Sequence, residues 1–333
     1  MKPKVLFVAS YFESDCISNY TMPFIDRQME SLREAGLDIT SFSIESFRSK
    51  YNYIKKSRLL RDYLKENRVD IVHAHYSYAG LTCGISKIRP LVVSLMGTDV
   101  YGRVGKSLAD RTINFINRMI IRLLASRWDA VIVKSEQMKK FISHSNLHVI
   151  PNGVDFGKFY PMDRLKAQSL LNLDPHKTLI LFGGNPDNPR KNYALAREVF
   201  KLVSLEIQDI SMIHLKNIPH QEIPVYLSAC SCLLMTSIME GSPNILKEAL
   251  ACNLPVVSVR VGDAEERLAG MDMCRICSYD PMELARNVTE VIGQGLRPDN
   301  RSRIQDLEIG RVADRITSVY HQVLEQYRQG NAL

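Results

Sequence analysis

The chain has 333 residues, of which 45% are hydrophobic and 24% charged, and a formal net charge of +7. It is long enough for two domains with full cores, and its composition is that of an ordinary globular protein. No apolar run approaches the ~20 residues of a spanning helix. The opening Met1-Lys2-Pro3-Lys4 leads straight into a strand-like run rather than a signal peptide, so a cytoplasmic protein is expected.

Short β-rich apolar runs alternate with helical stretches, a pattern that predicts α/β architecture with parallel sheets. In the first half, strands are expected at residues 5–8, 39–42, 71–74, 91–94, 130–133 and 148–150. The first is followed by Ala9-Ser10-Tyr11-Phe12-Glu13-Ser14-Asp15, which contains no G-x-G-x-x-G. No G-x-x-x-x-G-K-[ST] occurs either, which argues against a nicotinamide dehydrogenase or a P-loop NTPase. Residues 47–68 carry eight cations (Arg48, Lys50, Lys55, Lys56, Arg58, Arg61, Lys65 and Arg68) against Asp62 and Glu66, interleaved with Tyr51, Tyr53, Ile54, Leu59, Leu60, Tyr63 and Leu64. Such a basic amphipathic segment suits an anionic membrane surface. No nucleic-acid-binding motif accompanies the charge, and no nucleic-acid partner is expected. His73 and His75 alternate with Ala74, so their side chains share one face of a strand.

Residues 151–156, Pro-Asn-Gly-Val-Asp-Phe, are rich in turn formers and read as a hinge. Charge divides there: residues 1–155 hold 23 Lys+Arg against 15 Asp+Glu, and the remainder 20 against 21. Beyond the hinge, strands are expected at 179–182, 211–214, 232–235, 256–259 and 273–276. The Gly183-Gly184-Asn185 loop runs on to Arg190-Lys191, combining close backbone approach with two cations suited to a diphosphate. A last helical stretch covers about 309–327. Seven cysteines are scattered, with one C-x-x-C at Cys274 and Cys277. No second pair or His pair completes a zinc site, so reduced, mostly buried thiols and no metal are expected.

Ligands of open α/β sheets bind beyond the carboxyl ends of the strands. The unusual residues gather at those ends in both halves: Ser10, His75, Gly97-Thr98-Asp99 and Ser135 in the first, and Gly183-Gly184, residues 236–240 and Gly262 in the second. Two such sheets imply a cleft between domains.

The most telling segment runs from Met239 to Val257. Ser242 is expected as a helix N-cap and Pro243 at the first helical position, with Ile245, Leu246, Ala249 and Leu250 as the apolar stripe. Asn253 in the left-handed conformation, followed by Leu254-Pro255, ends the helix. Its N-terminus opens after Glu240-Gly241, where free N–H groups suit a phosphate. Glu248, inside the helix on the face of Asn244, can accept the two hydroxyls of a ribose.

This segment resembles the donor-site signature of the retaining glycosyltransferases of family 4, carried by Glu240-Gly241-Ser242-Pro243, Glu248-Ala249-Leu250-Ala251, Pro255-Val256-Val257 and Gly262. The resemblance implies the GT-B fold: two Rossmann-like parallel-sheet domains facing a cleft. Residues 1–152, with a crossover helix at about 309–328, would bind the acceptor, and residues 153–308 the nucleotide sugar. It implies transfer of a sugar from a nucleotide diphosphate donor to an acceptor hydroxyl with retention, without metal or cofactor, in polysaccharide or glycolipid synthesis. Glu240 would orient the donor sugar, and Glu248 would hold the ribose. Lys191, with the backbone at Gly241, Ser242, Pro243 and Asn244, would meet the diphosphate, flanked by Gly184, Asn185 and Arg190. His75, Asp99 and Ser10 are acceptor-side candidates, for a lipid-linked or oligosaccharide acceptor at the inner face of the membrane. Asn185 stands where the family has an arginine, and Met96 where it has a histidine. These departures keep open the alternative of a partner subunit that binds a sugar nucleotide without catalysis. Another alternative is a nucleotide-sugar epimerase of similar fold.

Overall fold

The structure, a computed structural model, describes residues 2–10, 12, 23–45, 49, 51–102 and 108–330. In chain order the first unit contains β1 (Lys4–Ala9), α1 (Pro23–Glu34), β2 (Asp38–Ser43), α2 (Asn52–Glu66), β3 (Ile71–His75), α3 (Ser77–Ile85), β4 (Leu91–Ser94), α4 (Thr98–Tyr101), α5 (Leu108–Ala125), β5 (Ala130–Val133), α6 (Glu136–Lys139) and β6 (Leu147–Val149). The second contains α7 (Arg164–Leu170), β7 (Thr178–Phe182), α8 (Tyr193–Glu206), β8 (Ile210–His214), α9 (Ile223–Ala229), β9 (Cys232–Met235), α10 (Asn244–Ala251), β10 (Val256–Val259), α11 (Ala264–Leu268), β11 (Arg275–Cys277) and α12 (Pro281–Gln294). The final helix, α13 (Ile309–Gly330), belongs to the first unit, which comprises residues 1–153 and 309–333; the second comprises 154–308.

Each unit is built on a parallel sheet, six strands in the order β2-β1-β3-β4-β5-β6 and five in the order β11-β10-β9-β7-β8. The strands form at the apolar runs that predicted them. β11 starts two residues later than expected, because Met273 adopts φ +58°, which an extended strand cannot accommodate.

Alternation along the first sheet sorts its core onto two faces. Val5, Phe7, Ile71 and Val92 pack with Ile25, Met29 and Leu32 of α1 and with Val312, Ile316 and Val319 of α13. Leu6, Val8, Val72 and Val93 pack with Leu60 of α2, Ala79 and Cys83 of α3, and Ile121 and Leu124 of α5. The second unit has one continuous core. The described cysteines, Cys83, Cys230, Cys232, Cys252, Cys274 and Cys277, are all free and buried. Burial pushes the Cys230 and Cys252 thiols up to about 12, and Cys274 and Cys277 to about 11. Cys16 lies outside the described residues, as do Phe47, Arg48 and Lys50 of the basic run and Tyr11, Glu13, Ser14 and Asp15 of the first loop.

Candidate active site

The donor-type residues of the second unit converge at the carboxyl ends of β7 and β9. After β7, Gly184 has no room for a Cβ, which would lie 2.8 Å from three carbons of the Lys191 stem. The glycine therefore lets the lysine cross the loop. Lys191 Nζ donates to Glu240 Oε1 at 2.7 Å, with both side chains largely buried at 17% and 13% exposure. Thr236 Oγ1 donates to the carbonyls of Lys191 (2.9 Å) and Asn192 (3.0 Å), and Ile238 N donates to Arg190 O at 2.8 Å. These bonds tie the lysine turn to the loop before α10. Asn192, at φ +52°, makes the sharp corner into α8. The Arg190 guanidinium has no partner among the described residues, and so is available to an anion. Asn185 is engaged in its own loop, its Oδ1 accepting Asp187 N at 2.9 Å.

The α10 terminus differs from expectation. The helix starts at Asn244 with Pro243 as its cap residue, which makes no side-chain cap bond. Ser242 Oγ instead bonds Asp263 Oδ2 at 2.8 Å. Asp263 is 3% exposed, and Arg267 joins it at 3.4 Å. The hydroxyl proton goes to a buried carboxylate, a strong acceptor, and Ser242 stands one residue before the cap position. Gly262, at φ +57°, passes close to this loop: a Cβ there would meet the carbonyls of Glu240 and Gly241 at 3.1 Å. Asn253 has the expected left-handed backbone, φ +55°.

Glu248 is 5% exposed and points to His220, whose Nε2 lies 3.5 Å from Glu248 Oε1. His220 Nδ1 is in turn 2.8 Å from Lys158 Nζ. Sequence reasoning missed His220, Lys158 and Asp263, because each enters through a contact distant in the chain. It also missed Lys247, a fully buried lysine of α10.

The acceptor-side candidates of the first unit are built into its framework. Ser10 Oγ pairs with the Tyr53 hydroxyl at 2.8 Å. Asp99 accepts backbone N–H groups from Gly97 (2.9 Å), Met96 (3.0 Å) and Ser77 (3.1 Å), which makes it the anchor of the loop after β4. Burial raises its carboxyl above the ordinary range against those hydrogen bonds. His73 and His75 share a face as expected, with ring centroids 4.3 Å apart. His73 bonds Tyr320 Oη at 2.6 Å and Ser94 Oγ at 2.8 Å. His75 is fully buried, stacked on Phe7 at 4.8 Å, and its ring nitrogens have no partner among the described residues. His75 was expected on the acceptor side; both rings are fully buried, with Phe7 packed on both and Tyr320 of α13 on His73.

Residues 19–158 match the family model Glycosyltransferase Family 4, and residues 163–294 match Glycosyl transferases group 1. D-inositol 3-phosphate glycosyltransferase of Pseudarthrobacter chlorophenolicus is 22% identical over 256 residues, 64% of this chain and 59% of that protein. A phosphatidylinositol N-acetylglucosaminyltransferase component of Arabidopsis thaliana is 24% identical over 261 residues, 70% of this chain and 57% of that one. The chain thus spans 57–63% of the length of the curated relatives it matches. Among solved structures, sucrose-phosphate synthase from Thermosynechococcus elongatus superposes with a TM-score of 0.79 at 16% identity, covering 97% of this chain and all of that one. Anabaena HepE in complex with UDP and glucose gives 0.64 at 16% identity, covering 99% of each chain. A glycosyltransferase model thus matches on either side of residue 160, and over nearly the whole chain the fold is that of the GT-B structures.

Proposed function

We propose that this protein transfers a sugar, with retention, from a nucleoside diphosphate donor to an acceptor hydroxyl. The observation that carries the reading is the Lys191–Glu240 pair lying across Gly184 beside the open N-terminus of α10. A departing diphosphate develops negative charge; a lysine, an arginine such as Arg190 and the first N–H groups of a helix are groups that stabilise it without a metal. Glu240, fixed by Lys191, orients the sugar. Glu248, one turn inside α10, accepts the ribose hydroxyls. Incubation with a panel of nucleoside diphosphate sugars and lipid-linked or oligosaccharide acceptors tests the reading, with the product's anomeric configuration read by NMR. A transferred sugar of retained configuration supports it. Inversion removes the retaining assignment, an isomerised donor indicates an epimerase, and donor binding without turnover indicates a non-catalytic partner of another enzyme. That last reading draws on Asn185, whose side chain serves its own turn where relatives of the resembled family carry an arginine.

The acceptor we favour is lipid-linked and met at an anionic membrane surface by the first unit, in polysaccharide or glycolipid synthesis on the cytoplasmic face. Among the described residues, the large exposed apolar side chains of this unit are Tyr51, which precedes α2, and others on α2, α3 and α5, including Ile54, Leu59, Tyr78, Phe115, Met119 and Leu123. Both α2 and α5 pack on α3. Lys55, Arg58 and Arg61 of α2 and Arg118 and Arg122 of α5 are exposed on the same helices. Apolar side chains that enter an interface, with cations that meet its phosphates, fit such a surface. No helix among the described residues is long and apolar enough to cross a membrane.

A further inference from the structure

We propose that His220, held by Lys158, is a positioning residue for the donor ribose: it fixes the Glu248 carboxylate in the orientation that accepts the sugar's hydroxyl pair. The inference rests on the assignment of Glu248 to the ribose. Lys158 lies in a rigid turn. Asp155 Oδ1 accepts Gly157 N at 2.8 Å and Lys158 N at 3.1 Å, and Phe159 beside them is fully buried. Arg301 binds this turn to α10. Its guanidinium donates to Phe156 O at 2.8 Å, to Phe159 O and to Ala251 O at 2.9 Å, and sits 4.1 Å over the Phe156 ring. The lysine is therefore held against the helix that carries Glu248.

The hydrogen-bond roles follow from the groups themselves. An ammonium can only donate, so His220 Nδ1 accepts from Lys158 at 2.8 Å and the imidazole proton resides on Nε2. That nitrogen lies 3.5 Å from Glu248 Oε1, longer than a formed hydrogen bond but close enough for its N–H dipole to attract the carboxylate. Phe159 packs edge-on against the ring, centroids 5.6 Å apart, and holds its plane. The carboxylate thus faces, on one side, a ring N–H whose tautomer is set from behind. Second partners of this kind orient a liganding group before the ligand arrives, and so reduce what binding loses in side-chain freedom.

Calorimetry on the full chain tests this, using UDP, GDP and ADP and then the 2′,3′-dideoxy counterpart of the tightest binder. The wild type favours the ribose form, and Glu248→Ala abolishes that preference. His220→Ala is expected to lose about 3- to 10-fold in affinity for the ribonucleotide, the scale of one freed side chain, with dideoxynucleotide affinity unchanged. His220→Gln, whose amide both accepts and donates, restores most of the preference. Lys158→Met shifts it in the same direction as His220→Ala by a smaller factor. An undiminished preference in His220→Ala, an equal loss for both nucleotides, or a glutamine variant no better than the alanine overturns the proposal. Absence of nucleotide binding, or a ribose preference that survives Glu248→Ala, overturns the ribose assignment itself.

Discussion

Replacing Lys191 by methionine separates what the lysine does for the fold from what it does for the reaction. The wild-type contact is a charge-assisted hydrogen bond of 2.7 Å between side chains that are 17% and 13% exposed. Methionine keeps the stem that crosses Gly184 and removes the charge, leaving Glu240 largely buried without its partner. Losing a charged hydrogen bond costs about 1.5–3 kcal/mol, and the residual exposure places the expected loss near the lower end, about 2 kcal/mol. For a domain of this size that lowers the melting temperature by roughly 4–8 °C. Adding Glu240→Gln removes the stranded charge, so the double variant should regain most of the stability. Turnover should behave otherwise. Without the cation facing the diphosphate, kcat is expected to fall by about 100- to 1000-fold, and the second substitution should not recover it. Differential scanning calorimetry and a nucleoside diphosphate release assay read the two effects. A single variant that melts like the wild type would show the pair to be of no structural weight. A double variant that regains turnover would show that Lys191 serves only to hold Glu240.

Glu248→Ala should weaken nucleoside diphosphate binding by about 10- to 100-fold, the value of a charged hydrogen-bond acceptor; unchanged calorimetric affinity in a folded variant removes the ribose role. Desolvation first, with the charge of Lys134 and for His75 that of His73, holds both buried histidines well below the ordinary pKa near 6.5. They stay neutral in the folded chain while the unfolded chain takes up protons, so the stability they contribute is present above about pH 6.5 and is lost as pH falls. The loss is up to about 1.4 kcal/mol per pH unit for each ring. Urea melts between pH 7.5 and 5.5 should show this slope, and His75→Phe should remove about half of it; an undiminished slope would place the acid sensitivity elsewhere. Finally, the protein should float with anionic vesicles and release them as salt rises, given screening within roughly 8 Å at physiological ionic strength. Changing Lys55, Lys56, Arg58 and Arg61 together to glutamine should reduce flotation and leave donor binding intact, and flotation equal to wild type would return α2 to an ordinary solvated helix.

Much of the fold was legible because parallel strands buried on both faces write largely apolar runs, and β1, β4, β7 and β10 are such runs. The segment around α10 was legible because its turn, helix and strand are adjacent in the chain. Where local rules compete with a distant partner, the sequence misleads. Ser242 has the chemistry of a cap, but Asp263, 21 residues on, takes its hydroxyl. His75 has the look of a site residue, but only the tertiary packing reveals that it is enclosed. Lys158, His220 and Glu248 span 90 residues of chain and carry no spacing by which to find one another.

Helix α13 sets an order of events during synthesis. The strands of the first sheet leave the ribosome early, yet the face bearing Val5, Phe7, Ile71 and Val92 is completed by Val312, Ile316, Val319 and Tyr320, which emerge far later. His73 waits for the hydroxyl that satisfies it until Tyr320 is made, 247 residues on. The second unit is uninterrupted in sequence and can close before the helix that completes the first is made. A released chain ending at residue 308 would therefore carry a second unit complete in sequence, joined to a sheet with part of one apolar face bare.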